Sequence, residues 1–184
     1  MAMTPSTMVP LGTLCPAFSL VDVSTGKAVC ESDFAGRPLL VMFICNHCPF
    51  VVHVQDELAR LTNDYPPAHL GCVGICSNDV TTHPGDSPSK MVEMARKNGW
   101  TFPYLHDPSQ ECARAFDAAC TPDFFLFDRS HTLVYRGQLD ESRPGNRVEL
   151  TGGDLRRALD AVFEGSAVEG EQRPSIGCNI KWRS

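Results

Sequence analysis

The run Leu39-Leu40-Val41-Met42-Phe43-Ile44 is apolar at every position and leads without a break into Cys45-Asn46-His47-Cys48-Pro49. A run with no polar side to turn toward water predicts a central strand covered on both faces. Beyond Pro49 the period changes. Val51, Val54, Leu58 and Leu61 recur at spacings of three and four, with Gln55, Asp56, Glu57 and Arg60 on the opposite side, so an amphipathic helix is expected to about Tyr65, stopped by Pro66-Pro67. Two cysteines therefore stand where a buried strand turns into a helix.

The rest of the chain supplies partners for that strand. Phe18 to Val23 alternates apolar and polar residues, turns at Ser24-Thr25-Gly26-Lys27 and resumes at Ala28-Val29, a β-hairpin pattern. Ser32 to Pro38 reads as a short helical turn ended by Gly36. Leu70 to Cys76 is a second buried strand, followed by a polar loop from Ser77 to Pro88 and a helix over Lys90 to Lys97 closed by Asn98-Gly99. Trp100 to Leu105 is strand-like, and Asp107-Pro108-Ser109 opens a helix through Ala118. Phe124 to Phe127 and Thr132 to Tyr135 form a strand pair, and Leu155, Ala158, Leu159, Val162 and Phe163 form the apolar stripe of a last helix. Strands alternating with helices predict an α/β sandwich. With no linker or repeat, one domain over residues 1–184 is expected, its core at about 9–165. The tail from Gly165 is expected to be irregular, yet Ile176 to Trp182 is apolar enough to pack back on the domain.

A thiol at a helix start meets unpaired N–H groups and the positive end of the helix dipole, so it loses its proton more readily. Two intervening residues allow Cys45 and Cys48 to form a disulfide across one turn, and a charged His47 would stabilise the thiolate-bearing reduced form. The competing readings are packed cysteines or half a zinc site. No second C-x-x-C exists to complete a zinc site, which favours redox chemistry.

With its C-x-x-C at a strand-to-helix junction, Leu39 to Leu61 resembles a thioredoxin-fold protein, and Cys120-Thr121-Pro122 before a strand resembles the cis-proline segment of that fold. Pro16-Ala17-Phe18-Ser19-Leu20, the hairpin with Gly26 and the Leu-x-Val-x-Phe before the cysteines resemble the AhpC/TSA peroxiredoxin-like branch, including its TlpA-type thiol oxidoreductases. Cys-Asn-His-Cys-Pro-Phe-Val together with Ser175 to Trp182 resembles a peroxiredoxin-like subgroup of it. The resemblance spans about Val9 to Trp182. It implies a thioredoxin-like fold with a central mixed β-sheet flanked by helices and an N-terminal β-hairpin.

Two reactions follow from this resemblance. In a thiol–disulfide oxidoreductase, Cys45 is the exposed nucleophile, Cys48 resolves the mixed disulfide, the Thr121 backbone pairs with a substrate strand and Pro122 lies cis beside the sulfurs. In a thiol peroxidase, Cys48-Pro49 matches the peroxidatic Cys-Pro, while the arginine such enzymes carry before the strand at Phe124 is replaced by Thr121-Pro122-Asp123. That departure favours disulfide exchange, with Arg129 and Arg143 as substitutes from nearby loops. A third reading, copper or zinc delivery by Cys45, Cys48 and His53, departs from the family pattern of three residues between the cysteines.

Catalytic roles thus fall to Cys45 and Cys48, supported by His47, Pro49, Thr121 and Pro122, with no cofactor and no metal. Cys178 reads first as a small buried hydrophobe and second as an accessory thiol, Cys120 as a wall residue, and Cys15, Cys30, Cys72, Cys76 and Cys112 as packing. The expected partners are a protein or small-molecule disulfide or thiol, or a peroxide, together with a cellular thiol reductant. Sixteen basic against 22 acidic residues, a net charge of −6, argue against nucleic acid or an anionic membrane. An N-terminus without Lys or Arg, broken by Pro5, Pro10 and Pro16, predicts a cytoplasmic protein. There nine cysteines, an odd number, stay reduced unless they cycle.

Overall fold

The strand read at residues 39–44 lies at the centre of the molecule in the computed structural model, which describes residues 3–183. Strand β4 (Leu39–Phe43) is fully buried along its length, with parallel β5 (Gly71–Cys76) on one side and antiparallel β8 (Asp123–Phe127) on the other. The hairpin β2 (Ser19–Asp22) and β3 (Ala28–Cys30), with β6 (Tyr104–His106) and β9 (Leu133–Gly137), extends this to a mixed sheet of seven strands among the described residues, ordered β3-β2-β6-β5-β4-β8-β9. The thioredoxin-like fold is therefore present.

Alternation along β4 divides the core. Leu40 and Met42, with Ile44 just beyond the strand, meet Val51, Val54, Leu58 and Leu61 of α1 (Pro49–Asp64) and Leu155, Ala158 and Leu159 of α4 (Gly153–Glu164). Leu39, Val41 and Phe43 face the other way, onto Phe116, Phe125 and Phe127 beside the short α3 (Glu111–Ala115). Each such apolar side chain contributes roughly 1.5–3 kcal/mol by burial, which makes β4 the firm base from which the cysteine turn projects. Helix α2 (Pro88–Asn98) closes on a left-handed Gly99, as Asn98-Gly99 suggests. Among the described residues no helix is long and apolar enough to cross a membrane.

Three expectations change. The strand expected over Trp100 to Leu105 begins only at Tyr104, because Trp100 stacks on Phe102 at 5.2 Å and donates its indole N–H to the Gln55 carbonyl. The helix expected over residues 107–118 shrinks to α3, because Gln110 is left-handed at φ 65° and the Asp107 carboxylate accepts from Ser77 Oγ and the Ala113 N–H. The tail is not irregular throughout. It contains β10 (Ile176–Asn179), which lies between β1 (Met3–Pro5) and β7 (Cys120–Thr121) in a second, three-stranded antiparallel sheet.

Candidate active site

Cys45 follows the last strand residues of β4, and Cys48 is the N-cap of α1, with Pro49 as the first helical residue. Proline suits that position because its fixed φ matches the helix and its missing N–H would have had no intrahelical partner. The helix start therefore serves Cys48 rather than Cys45.

Both thiols are buried, Cys45 at 1% and Cys48 at 0% exposure. Cys45 is thus not the exposed nucleophile the resemblance implies: Thr121 and the segment carrying Asp86 close over it. Its Sγ lies 3.4 Å from Thr121 Oγ1, and the protonated Cys48 donates to the Thr121 carbonyl at 3.1 Å. The Thr121–Pro122 peptide is cis. Pro122 also lines a shallow cleft with Phe50, His53, Ser142, Arg143 and Ile176.

The two sulfurs have opposite proton affinities. Hydrogen bonds from Cys45, Cys178 and Thr121 and from the Val51 amide outweigh burial and pull the Cys48 thiol down to about 5. Cys45 is pushed well up by its hydrogen bond to Cys48, by burial and by the nearby Asp86 charge. Burial, reinforced by nearby carboxylates at all but Cys72, keeps the packing cysteines protonated: Cys15 and Cys76 rise to about 12, and Cys72, Cys112 and Cys120 are likewise pushed up.

His47 is held first by a carboxylate, and its charge interacts with Cys48 only more weakly. Its Nδ1 is 2.6 Å from the fully buried Asp86 carboxylate, which raises the His47 pKa and is itself held low by that partner. Asp86 also accepts the Asn46 N–H at 2.8 Å and Asn78 Nδ2 at 2.8 Å, Asn46 Nδ2 donates to the Gly85 carbonyl, and His47 stacks on His83 at 5.0 Å. These bonds lace the Cys45-to-Cys48 turn to the loop read from sequence only as polar. Asp86, Asn46 and Asn78 were not singled out there, since nothing in the local sequence of Ser77 to Pro88 distinguishes a buried carboxylate from a solvated one.

The metal set weighed from sequence is not assembled. His53 Nε2 is 2.5 Å from Ser142 Oγ, so α1 points it at the loop after β9 and away from the thiols. Among the described residues the group able to surround an ion is Cys45, His47 and Asp86, with ligand atoms within 4.8 Å of one another, and there the imidazole and carboxylate already hold each other. The substitute arginines are also committed elsewhere. Arg129 sits in the β8–β9 turn at the far end of the sheet, and Arg143 donates to the Asp140 and Ser142 carbonyls and to Gln138.

Thr121 does not offer its backbone to an incoming strand. Cys178 of β10 already pairs with it, and the register brings Cys178 Sγ to 2.9 Å from Cys48 Sγ. The close approach depends on Gly177, where a Cβ would sit 1.9 Å from the Thr121 carbonyl oxygen. A glycine inside an apolar strand pattern is the sequence signal for such an approach. Cys120 is buried in the wall behind this contact.

Residues 11–136 match the AhpC/TSA family. A putative peroxiredoxin from Mycobacterium tuberculosis is 31% identical over 117 residues, 63% of this chain and 69% of that protein. The thiol-disulfide oxidoreductase ResA from Geobacillus kaustophilus is 24% identical over 159 residues, 86% of this chain and 82% of that protein. Among solved structures, an uncharacterized conserved protein from Geobacillus kaustophilus is 52% identical with a TM-score of 0.97, covering 100% of this chain and 97% of that one. A putative thioredoxin from Neisseria meningitidis, 22% identical with a TM-score of 0.64 over 85% of this chain and 93% of that one, shares the fold.

Proposed function

The chain belongs to the AhpC/TSA family of thioredoxin-fold oxidoreductases, and from that premise we propose that it catalyses thiol–disulfide exchange with Cys45 and Cys48 as its cycling pair. The observation that carries this is geometric: two buried thiols share one strand-to-helix turn, with Cys48 at the N-cap of α1, where the Val51 amide helps to lower its pKa. Exchange needs a thiolate to attack and a second thiol to resolve. The Cys48 thiolate attacks one sulfur of a disulfide, forming a mixed disulfide and expelling one thiolate. Cys45 then gives up its proton and attacks the Cys48 sulfur, closing the Cys45–Cys48 disulfide and expelling the second thiolate. A cellular thiol reductant, of the kind the cytoplasm maintains, returns both to thiols. This reverses the roles expected from the resemblance, because the helix start and its amide act on Cys48.

One observation favours a second reading: the low-pKa thiol is the one followed by Pro49, as in a peroxidatic Cys-Pro. In that reaction the Cys48 thiolate attacks a peroxide oxygen, breaking the O–O bond to leave a sulfenic acid and a hydroxide that takes a proton from solvent as water, and the Cys45 thiol condenses with the sulfenic acid to release a second water. Stabilisation of the developing charge is a large term in such steps. Arg136, on the strand paired with the one that follows Pro122, is bound to Asp123, so exchange remains the reading proposed. The test is turnover of oxidised glutathione and of hydrogen peroxide, each with a thiol donor, by the wild type, Cys45→Ala and Cys48→Ala. Disulfide turnover lost in both variants supports exchange; peroxide consumption without disulfide turnover overturns it.

A further inference from the structure

Strand β10 is built into the site from both ends. Before it, the Ser6 N–H donates to the Ser175 carbonyl and β1 pairs along its outer edge; after it, the Lys181 N–H donates to Asn78 and Arg114 lies 4.5 Å over the Trp182 ring. Between these anchors Gly177 brings the backbone against Thr121, and Cys178, 1% exposed, faces Cys48. Cys48 therefore has two sulfur neighbours, Cys45 from its own turn and Cys178 from the C-terminal strand. A disulfide needs an S–S distance of about 2.05 Å, so the 2.9 Å separation of Cys48 and Cys178 leaves only a small side-chain movement.

Resting on the exchange reading, we propose that Cys178 is a third redox thiol, which takes Cys48 over from Cys45 and so ties the C-terminal strand covalently over the active site. Starting from the Cys45–Cys48 disulfide, the Cys178 sulfur attacks the Cys48 sulfur, the Cys48–Cys178 bond forms, the Cys45–Cys48 bond breaks, and the proton of Cys178 ends on Cys45. One disulfide is exchanged for another, so no further oxidant is consumed. Charge on Cys48 is part of what holds the proton on Cys178, and that charge is gone once Cys48 is bonded to Cys45. Cys45, pushed up by burial and by Asp86, is a ready proton acceptor as it leaves.

The consequence is a choice of substrate class. With β10 paired to β7, the strand edge beside Pro122 is filled, and a Cys48–Cys178 bond fixes it so. Small disulfides and reducing thiols then remain the substrates, and extended peptides are kept from Thr121.

The full-length wild type, Cys45→Ser and Cys178→Ser are oxidised with glutathione disulfide, quenched in acid and mapped by mass spectrometry without reduction. The inference expects a Cys48–Cys178 linkage in the wild type and in Cys45→Ser, with Cys178→Ser accumulating only Cys45–Cys48. A Cys45–Cys48 linkage in the wild type with no Cys178 linkage in either protein overturns the relay and leaves the exchange reading standing. A Cys48–Cys178 linkage without any Cys45–Cys48 linkage keeps the third thiol and overturns the exchange pair. Neither linkage overturns both.

Discussion

The fully buried Asp86 carboxylate lies 2.6 Å from His47 Nδ1 and, through the Asn46 N–H as well, holds the turn that carries Cys45 and Cys48. Replacing it by Asn removes the charge but keeps the size. Hydrogen bonds to a charged group are worth about 2 kcal/mol, so Asp86→Asn should lower stability by about that much and bring the His47 pKa back toward its ordinary value. Denaturant unfolding and an NMR titration of the His47 ring measure the two effects.

The same pair sets a pH window. His47 is raised above 6.5, so its share of stability is full below about that pH and lost as pH climbs through the raised value. Asp86 is lowered below 3.8, so its share is full above 3.8 and lost as pH falls through the lowered value. The pair should contribute most between these limits. The stability difference between wild type and Asp86→Asn, measured against pH, should peak there and shrink on both sides.

Cys48 should titrate alone in the acid range. Thiolate absorbance of the reduced protein is expected to rise with one thiol's amplitude at a midpoint near 5. Cys45→Ala should move that midpoint upward, since the Cys45 hydrogen bond is the largest of the lowering contributions. A wild-type midpoint at the ordinary value of a thiol would contradict the assignment of Cys48 as the attacking sulfur.

Gly177→Ala should detach β10. Its Cβ would meet the Thr121 carbonyl oxygen at 1.9 Å and the carbonyl carbon at 2.5 Å, backbone atoms that cannot swing aside. Overpacking of this kind costs about 1–3 kcal/mol. Hydrogen exchange should show lost protection over residues 176–179, and Cys48 should react faster with a small alkylating agent.

Behind the cis-proline segment, Arg136 makes a two-pronged ion pair with Asp123, both fully buried. Arg136→Met leaves the Asp123 charge without its partner and should cost about 3–5 kcal/mol in denaturant unfolding. The double variant with Asp123→Leu should be less destabilised than the single one.

What the sequence reveals here divides by range. The buried strand at Leu39, the helix opening at Pro49 and the two cysteines between them are local, written in six apolar residues and a change of period, and the structure repeats them closely. The Thr121-Pro122 segment is legible through its resemblance to the cis-proline segment of the thioredoxin fold, and the peptide is cis. The pairing of Cys178 with Thr121 is not, because two short strands far apart in the chain leave no periodicity of their own, and only Gly177 hints at a close approach. Asp86 escapes for the same reason: its importance lies in a turn of another segment that closes on it. The proton affinities of the two cysteines depend on both, which is why the chain alone suggests the pair but does not carry the order of attack proposed above.

The central claim is that Cys45 and Cys48 cycle. It is tested most directly by equilibrating the wild type and Cys178→Ser in glutathione buffers of graded redox poise and counting thiols while mapping disulfides at each step. Two of the nine thiols of the wild type should disappear in one two-electron transition, and in Cys178→Ser the same transition should yield a Cys45–Cys48 disulfide. Nine thiols retained by the wild type at every poise, or two lost from Cys178→Ser without that linkage at any, would contradict it.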